Sequence, residues 1–170
     1  MTILPQKVKD LAQAVRSHGG RAMLVGGCVR DELMGVPHKD WDVEVYGVEP
    51  TKLREIIDGF GPVNVVGESF AVYKLSGEID VSLPRRERKS GHGHRGFAVE
   101  GDPDMTFNEA CSRRDFTVNA ILKDVLTSEI VDPFDGQSDI KVRLLRMVSS
   151  ETFSEDSLRE IGRASCRERV

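Results

Sequence analysis

The stretch that decides the fold runs from Ala22 to Tyr46 and reads AMLVGGCVRDELMGVPHKDWDVEVY. It opens with four apolar residues that end on Gly26-Gly27, the pattern of a buried strand followed by a tight turn. Residues 29–34 then predict a short helix that closes at Gly35. Residues 41–46 alternate apolar and polar side chains, which predicts a second strand. The chain therefore passes from strand through glycine turn and helix to strand.

Helices and short strands continue on both sides of this stretch. Apolar residues at helical spacing predict a helix over 4–17, and Pro50 precedes another helical pattern. The predicted helices cover 4–17, 29–34, 51–57 and 107–113, with a helical or turn segment at 140–143. The predicted strands cover 22–25, 41–46, 63–66, 70–75 and 79–83, and 120–123 and 130–131 are predicted as short strands or extended pieces. We expect an α+β fold, in which helices flank a small, mixed and mostly antiparallel sheet.

Composition limits the kind of protein. A length of 170 residues suits one domain, and a net charge of -4 argues against a protein that coats nucleic acid without specificity. Cys28, Cys111 and Cys166 lack paired spacing, which argues against a disulfide framework or a structural zinc site. No apolar run approaches the roughly 20 residues of a membrane span, and the first residues lack the pattern of a secretory signal. We expect a cytoplasmic protein without membrane contact.

Residues 84–103 are rich in glycine, histidine and charge, with little apolar periodicity. This composition predicts a long mobile loop whose value is functional. His92 and His94 could suggest a metal site, but the loop supplies no third ligand. We interpret both histidines as polar loop residues.

Asp40 and Asp42 are the first candidates for chemistry. On a strand, side chains two residues apart point to the same side, so these carboxylates are expected to converge. Hard oxygen ligands suit Mg²⁺, which takes one or two protein carboxylates and completes its shell with water and phosphate. The alternative is a solvated strand face, and the preceding glycine turn favours the metal site.

Gly26 and Gly27 allow the backbone to approach a phosphate closely, and the helix after them offers free N–H groups. Arg30, in the first turn of that helix, can add a positive charge. A glycine pair alone often only reverses the chain. Its interpretation as a phosphate site depends on Asp40 and Asp42, which follow it.

Asp80 is the candidate for a third carboxylate. Ile79 and Val81 flank it and are expected to face the core, which leaves the acid on the open side of the sheet. Two magnesium ions on such carboxylates would serve an in-line attack by a 3′-hydroxyl with release of pyrophosphate. The alternative for a single aspartate on a strand is an edge or turn residue.

Arg113 and Arg114 form a basic pair that could bind phosphate. Asp115 is then a structural partner, and Asn119 could bond a sugar hydroxyl. The alternative is a helix end with ordinary capping.

These motifs together resemble a known family. LVGGCVRD at 24–31 with KDWD at 39–42 is similar to the signature of the class II tRNA nucleotidyltransferase and bacterial poly(A) polymerase family, within the polymerase-beta-like superfamily. RRDFTVNA at 113–120 resembles the family motif that holds the ribose and triphosphate of the incoming nucleotide. DPFDG at 132–136 resembles the turn that links the family's head to its neck. The resemblance implies a polymerase-beta-like nucleotidyltransferase head.

Glu155, Asp156 and Arg159 resemble the family's E-D-x-x-R motif, which is implied to read the base edge of CTP or ATP. A carboxylate suits an exocyclic amine, and a guanidinium suits ring acceptors. Residues 160–163 depart from the family pattern. We therefore expect a head over 1–146, the start of a shortened neck helix over 147–160 and a non-native tail over 161–170.

The resemblance implies an enzyme that adds CMP and AMP, from CTP and ATP, to the 3′ end of tRNA with two Mg²⁺ ions. With the neck, body and tail expected to be absent, we expect little specific addition by residues 1–170 alone. The nearest alternative is a poly(A) polymerase that extends RNA 3′ ends with AMP. An alternative of another class is a catalytically silent nucleotide- or RNA-binding module.

Overall fold

A mixed β-sheet carries the fold in the computed structural model, which describes residues 3–61, 64–66, 72–89 and 97–149. The strands are β1 (Arg21–Val25), β2 (Trp41–Tyr46), β3 (Asn64–Val66), β4 (Val72–Ser76), β5 (Ile79–Ser82), β6 (Arg85–Lys89), β7 (Phe97–Gly101), β8 (Leu122–Asp124) and β9 (Ile130–Val131). The helices are α1 (Gln6–Ser17), α2 (Gly27–Leu33), α3 (Pro50–Asp58), α4 (Phe107–Ser112) and α5 (Gly136–Lys141), with a 3₁₀ turn at Thr117–Asn119.

Seven of the described strands form one sheet in the order β3-β4-β5-β2-β1-β8-β9. Strands β2 and β5 run parallel, whereas the other neighbouring pairs in this sheet are antiparallel. The predicted α+β class, with a mixed and mostly antiparallel sheet, is confirmed. The predicted strands at 63–66 and 70–75 lie partly outside the described residues. Among the residues that the structure does describe, no helix has the length and apolar character to span a membrane.

The central strands bury side chains on both faces of the sheet, as their alternation requires. One face packs Leu24, Val43 and Val45 against α1 and α3. The opposite face packs Met23 and Tyr46 against α4 and the residues that precede it. The polar side chains of β2 lie on this second face, so the approach to them is set by α4 and the chain that leaves it.

The prediction of a mobile loop over 84–103 is wrong for the strands that the structure describes there. β6 and β7 pair as an antiparallel ribbon, in register from Arg85 with Gly101 to Lys89 with Phe97. Main-chain hydrogen bonds hold such a ribbon, and they leave no apolar period in the sequence to detect. His92 and His94 lie outside the described residues.

Candidate active site

The turn between β1 and α2 places backbone beside two charged side chains. Gly26 has φ 69° and ψ −134°, a conformation that L side chains rarely adopt. A Cβ at this position would lie 3.5 Å from Arg114 Nη1 and 3.9 Å from Asp42 Oδ2. The left-handed φ is therefore what requires glycine here, and the predicted approach of Gly26-Gly27 to a phosphate stays a prediction.

A row of three charged residues crosses the neighbouring strands. Asp42 on β2 is in register with Asp80 on β5, and Asp80 is in register with Lys74 on β4. We call Lys74, Asp80 and Asp42 the carboxylate row. Lys74 Nζ donates to both oxygens of Asp80, each at 2.9 Å. Asp40 lies exposed one residue before β2.

The charged form of Asp42 is disfavoured in this row. Its pKa is raised, first because surrounding protein atoms remove part of its hydration and then because Asp80 repels its charged form. Asp40 adds to the rise, whereas Arg114 and Lys74 oppose it. Two adjacent carboxylates, one of them with a raised pKa, are a donor set that fits a divalent cation.

The three-carboxylate arrangement of Asp40, Asp42 and Asp80 is not assembled as a ready metal site. Among the described residues, no three His, Cys, Asp or Glu side chains gather as metal ligands. Asp42 and Asp80 are brought together by strand register, and Lys74 holds the second of them. The assignment of all three as metal ligands stays a prediction.

Arg114 faces the same site from the other side. Its Nη2 lies 3.4 Å from both carboxylate oxygens of Glu44, and Tyr46 Oη donates to the same carboxylate. Arg114 Nε is buried and has no hydrogen-bond partner in the part of the chain that the structure describes. The guanidinium is partly exposed and lies beside Asp42, which suits it to donate to a phosphate oxygen. Sequence reasoning missed Glu44, although its place two residues after Asp42 puts it on the same face.

Arg30 and Asn119 brace α2 against the 3₁₀ turn. The Arg30 guanidinium is buried, donates from Nε to Asp31 at 2.9 Å, and donates from Nη1 to Asn119 Oδ1 at 2.8 Å. Asn119 Nδ2 donates in turn to Asp115 Oδ1 at 3.1 Å. Asp115 Oδ1 also accepts from the Phe116 N–H at 2.8 Å, so these hydrogen bonds tie Asp115 to the 3₁₀ turn, and its predicted role as partner of the Arg113-Arg114 pair stays a prediction. The predicted roles of Arg30 toward a phosphate and of Asn119 toward a sugar stay predictions.

Helix α4 leads to Arg114, the member of the arginine pair that lies at the site. Thr106 and Glu109 form a capping box that fixes its start, and the helix ends at Ser112. Arg113 and Arg114 follow directly. Glu155, Asp156 and Arg159, the predicted base-reading residues, lie outside the described residues.

An open cleft of about 540 Å³ lies beside Asp42, within the size range of small-molecule sites. Its lining residues are Gly27, Cys28, Arg30, Asp31, Pro37, His38, Lys39, Asp40 and Asp42. Burial raises the pKa of the Cys28 thiol to about 11, so it is protonated at neutral pH and is not a nucleophile there. The chemistry of the cleft therefore rests on carboxylates and cations.

A polar frame of Thr117, Asp139 and Arg146 supports the segment that carries Arg114 and Asn119. Asp139 is buried and accepts from Thr117 Oγ1 at 2.7 Å and from Arg146 Nε at 3.1 Å. The Thr117 N–H donates to the Arg146 carbonyl at 3.0 Å. Sequence reasoning missed this frame because its members are separated along the chain.

The DPFDG turn completes that support. Asp132 accepts from the Gly136 and Gln137 N–H groups at 2.8 and 2.9 Å, which caps α5. A Cβ on Gly136 would lie 2.2 Å from the Thr117 carbonyl oxygen. The turn thus packs directly against the 3₁₀ turn at Thr117–Asn119.

Known proteins are similar to this chain in sequence and in fold. Residues 22–146 match the family described as the poly A polymerase head domain. The chain is 44% identical over 141 residues to a Multifunctional CCA protein of Xylella fastidiosa (strain M12), covering 82% of this chain and 32% of that protein. It thus spans about a third of the length of this curated relative.

Two solved structures share the fold. The Bacillus stearothermophilus CCA-adding enzyme in complex with CTP matches with a TM-score of 0.72 and 31% identity, over 93% of this chain and 38% of that one. A tRNA nucleotidyltransferase complexed with a primer tRNA and an incoming ATP analog matches with a TM-score of 0.64 and 29% identity, over 88% of this chain and 42% of that one.

Proposed function

This chain belongs to the poly(A) polymerase head-domain family, and we propose that it is the catalytic head of a nucleotidyltransferase that adds CMP and AMP to the 3′ end of tRNA. The observation that carries the proposal is the pairing of Asp42 with Asp80 across β2 and β5, with Asp42 beside both the Gly26 turn and Arg114. This arrangement combines clustered negative charge with donors for phosphate, which is what transfer of a nucleotide from a triphosphate requires.

The similar proteins indicate which substrates to propose. The similar curated protein is a CCA protein, and the similar solved structures hold CTP or a primer tRNA with an ATP analog. We therefore propose CTP and ATP as nucleotide substrates and a tRNA 3′ end as acceptor. Addition of AMP alone, as by a poly(A) polymerase, is an outcome that the experiment below distinguishes.

Asp40, Asp42 and Asp80 are the residues that we propose to hold Mg²⁺. Bound Mg²⁺ would neutralise charge on the triphosphate and lower the pKa of the attacking 3′-hydroxyl. Strand register brings Asp42 on β2 beside Asp80 on β5, so one bound cation would meet both carboxylates.

The other site residues have roles that follow from their positions. Gly26 and Gly27 admit phosphate close to the backbone, and Arg114 donates to it from the side that faces Asp42. We propose Arg113 as a second phosphate contact and Asn119, held by Arg30 and Asp115, near the ribose. We propose Glu155, Asp156 and Arg159 as the residues that recognise the base.

The test is incorporation of labelled CMP and AMP into a tRNA that lacks its CCA end, in the presence of Mg²⁺, by a full-length version in which this head is joined to the neck, body and tail of the family. We expect addition of a few nucleotides on tRNA, and Asp42→Asn should reduce its rate by at least about 10²-fold. Asp58→Asn is the matched control, because Asp58 pairs with Arg54 on the surface of α3, outside the site.

Two results would contradict the proposal. Long A tracts on an unstructured RNA, without CMP addition to tRNA, would identify a poly(A) polymerase. Calorimetry of Mg-CTP binding provides the second readout. Unaltered metal-dependent binding by Asp42→Asn would indicate a silent nucleotide-binding module.

A further inference from the structure

Lys74 is the cation of the carboxylate row, and the nucleotide-transfer roles proposed for the site residues do not include it. Its ammonium contacts both oxygens of Asp80 at 2.9 Å, so the pair is bidentate. The side chains of Lys74 and Asp80 are 42% and 32% exposed, so neither is locked inside the core. The ion pair is therefore free to open when a competitor for Asp80 arrives.

Strand geometry fixes Lys74 in this position. Tyr73 and Leu75 are buried in the core on the face that α1 and α3 cover, so Lys74 between them points to the opposite face. The cross-strand register then aligns Lys74 with Asp80, and Asp80 with Asp42. Lys74 thus supplies a positive charge at one end of a row whose other members are both acidic.

A metal ion and the ammonium of Lys74 compete for the same carboxylate oxygens of Asp80. Each carboxylate oxygen of Asp80 that coordinates a cation must share or give up its hydrogen bond from the ammonium. Lost hydration and Asp80 raise the pKa of Asp42, and the ammonium offsets part of that rise, so its charge reaches beyond its direct partner. Lys74 therefore offsets the repulsion between Asp42 and Asp80 and opposes a second cation beside them.

We propose that Lys74 is a positioning residue that holds Asp80 in place before metal binds and is displaced from it by the divalent cation. The proposal rests on the proposed function in one respect, the assignment of Asp80 as a metal ligand. It makes Lys74 a determinant of metal affinity. Loss of its charge strengthens metal binding and weakens the metal-free fold.

The test is Mn²⁺ binding to the 170-residue chain in the presence of CTP, followed by the electron paramagnetic resonance signal of free Mn²⁺. We expect Lys74→Met to bind Mn²⁺ roughly threefold to tenfold more tightly than the unaltered chain. Lys74→Arg keeps the charge and should retain an affinity close to that of the unaltered chain. Lys52→Met is the matched control, since it breaks a surface Lys–Glu pair on α3 and should leave Mn²⁺ affinity unchanged.

Unchanged or weaker Mn²⁺ binding by a folded Lys74→Met variant would overturn the proposal. Far-UV circular dichroism establishes folding, and Lys74→Gln replaces Lys74→Met if the latter does not fold. Asp80→Asn separates the two proposals. Weaker Mn²⁺ binding in Asp80→Asn with no change in Lys74→Met overturns only the role of Lys74, whereas unchanged binding in Asp80→Asn overturns the metal site as well.

Discussion

The protein shifts the pKa values of two of its aspartates, Asp42 and Asp139, in opposite directions. In the polar frame, burial tends to raise the pKa of Asp139, but hydrogen bonds from Arg146 and Thr117 outweigh it, so the pKa is lowered. In the carboxylate row, the pKa of Asp42 is raised by lost hydration and by the repulsion of Asp80. The charge of Asp139 is satisfied inside the protein, whereas that of Asp42 is not.

This difference separates a structural carboxylate from a functional one. Asp124 follows the pattern of Asp139: burial tends to raise its pKa, but the Thr127 N–H and Arg21 lower it below its ordinary value. An acid with its donors supplied internally contributes to stability. An acid placed beside like charge lowers stability and gains from a ligand, which is the relation expected at functional sites.

Gly136→Ala tests the frame most severely. Its Cβ would lie 2.2 Å from the Thr117 carbonyl oxygen, so backbone must move. We expect the free energy of unfolding to fall by about 3 kcal/mol or more. Urea unfolding followed by the fluorescence of Trp41 measures it. Gly77→Ala is the control, because nothing lies within 4 Å of its Cβ position. Equal stability of the two variants would show that the backbone around Thr117 moves to accommodate the added methyl group, contrary to the rigidity that we infer.

Asp139→Asn removes the charge of the frame with little change in shape. We expect a loss of about 2 kcal/mol at neutral pH, because Arg146 and Thr117 lose a charged acceptor. The pKa of Asp139 is lower in the folded state than in the unfolded state. Its stabilisation is therefore complete above the unfolded pKa of about 3.9 and is lost as the pH falls through the folded pKa.

The measurement is the urea midpoint of both proteins across the acid range. The gap between the unaltered chain and Asp139→Asn should close on acidification. A gap that stays constant with pH would mean that Asp139 acts through its shape and that its charge contributes nothing. Asp58→Asn on the surface of α3 provides the reference for an exposed aspartate.

The sequence predicted most of the local structure, because strand and helix periods are local signals. The path from β1 through Gly26 and α2 to β2 follows from apolar spacing and glycine alone. Strand alternation, which is also a local signal, singled out Asp42 and Asp80 as candidate site residues. Alternation places each on the open face of its own strand, and parallel pairing of β2 with β5 brings them together.

What the sequence did not predict depends on contacts between distant residues. Asp139, Thr117 and Arg146 meet only after α5 folds back onto the 3₁₀ turn. The pairing of Lys74 with Asp80 depends on the register of β4 against β5, which a single sequence specifies weakly. A signal for Lys74 was nevertheless present, since it stands between the apolar residues Tyr73 and Leu75 on a predicted strand.

Asp42→Asn should change stability in the opposite direction from Asp139→Asn, by a smaller amount. The folded pKa of Asp42 is raised, so its ionisation destabilises the fold as the pH rises from the unfolded pKa through the folded one. Asparagine removes that cost. Because the side chain is open to solvent, we expect a gain of less than about 1 kcal/mol at neutral pH.

Adding Mg²⁺ with CTP should then make the unaltered chain more stable than Asp42→Asn, which reverses their order without ligand. A ligand that binds only the folded state stabilises it by mass action, and Asp42→Asn would lack this contribution. Thermal unfolding with and without Mg-CTP measures both effects on the same samples. A variant that is less stable without ligand, yet gains as much from Mg-CTP as the unaltered chain, would place Asp42 with Asp139 among the structural acids.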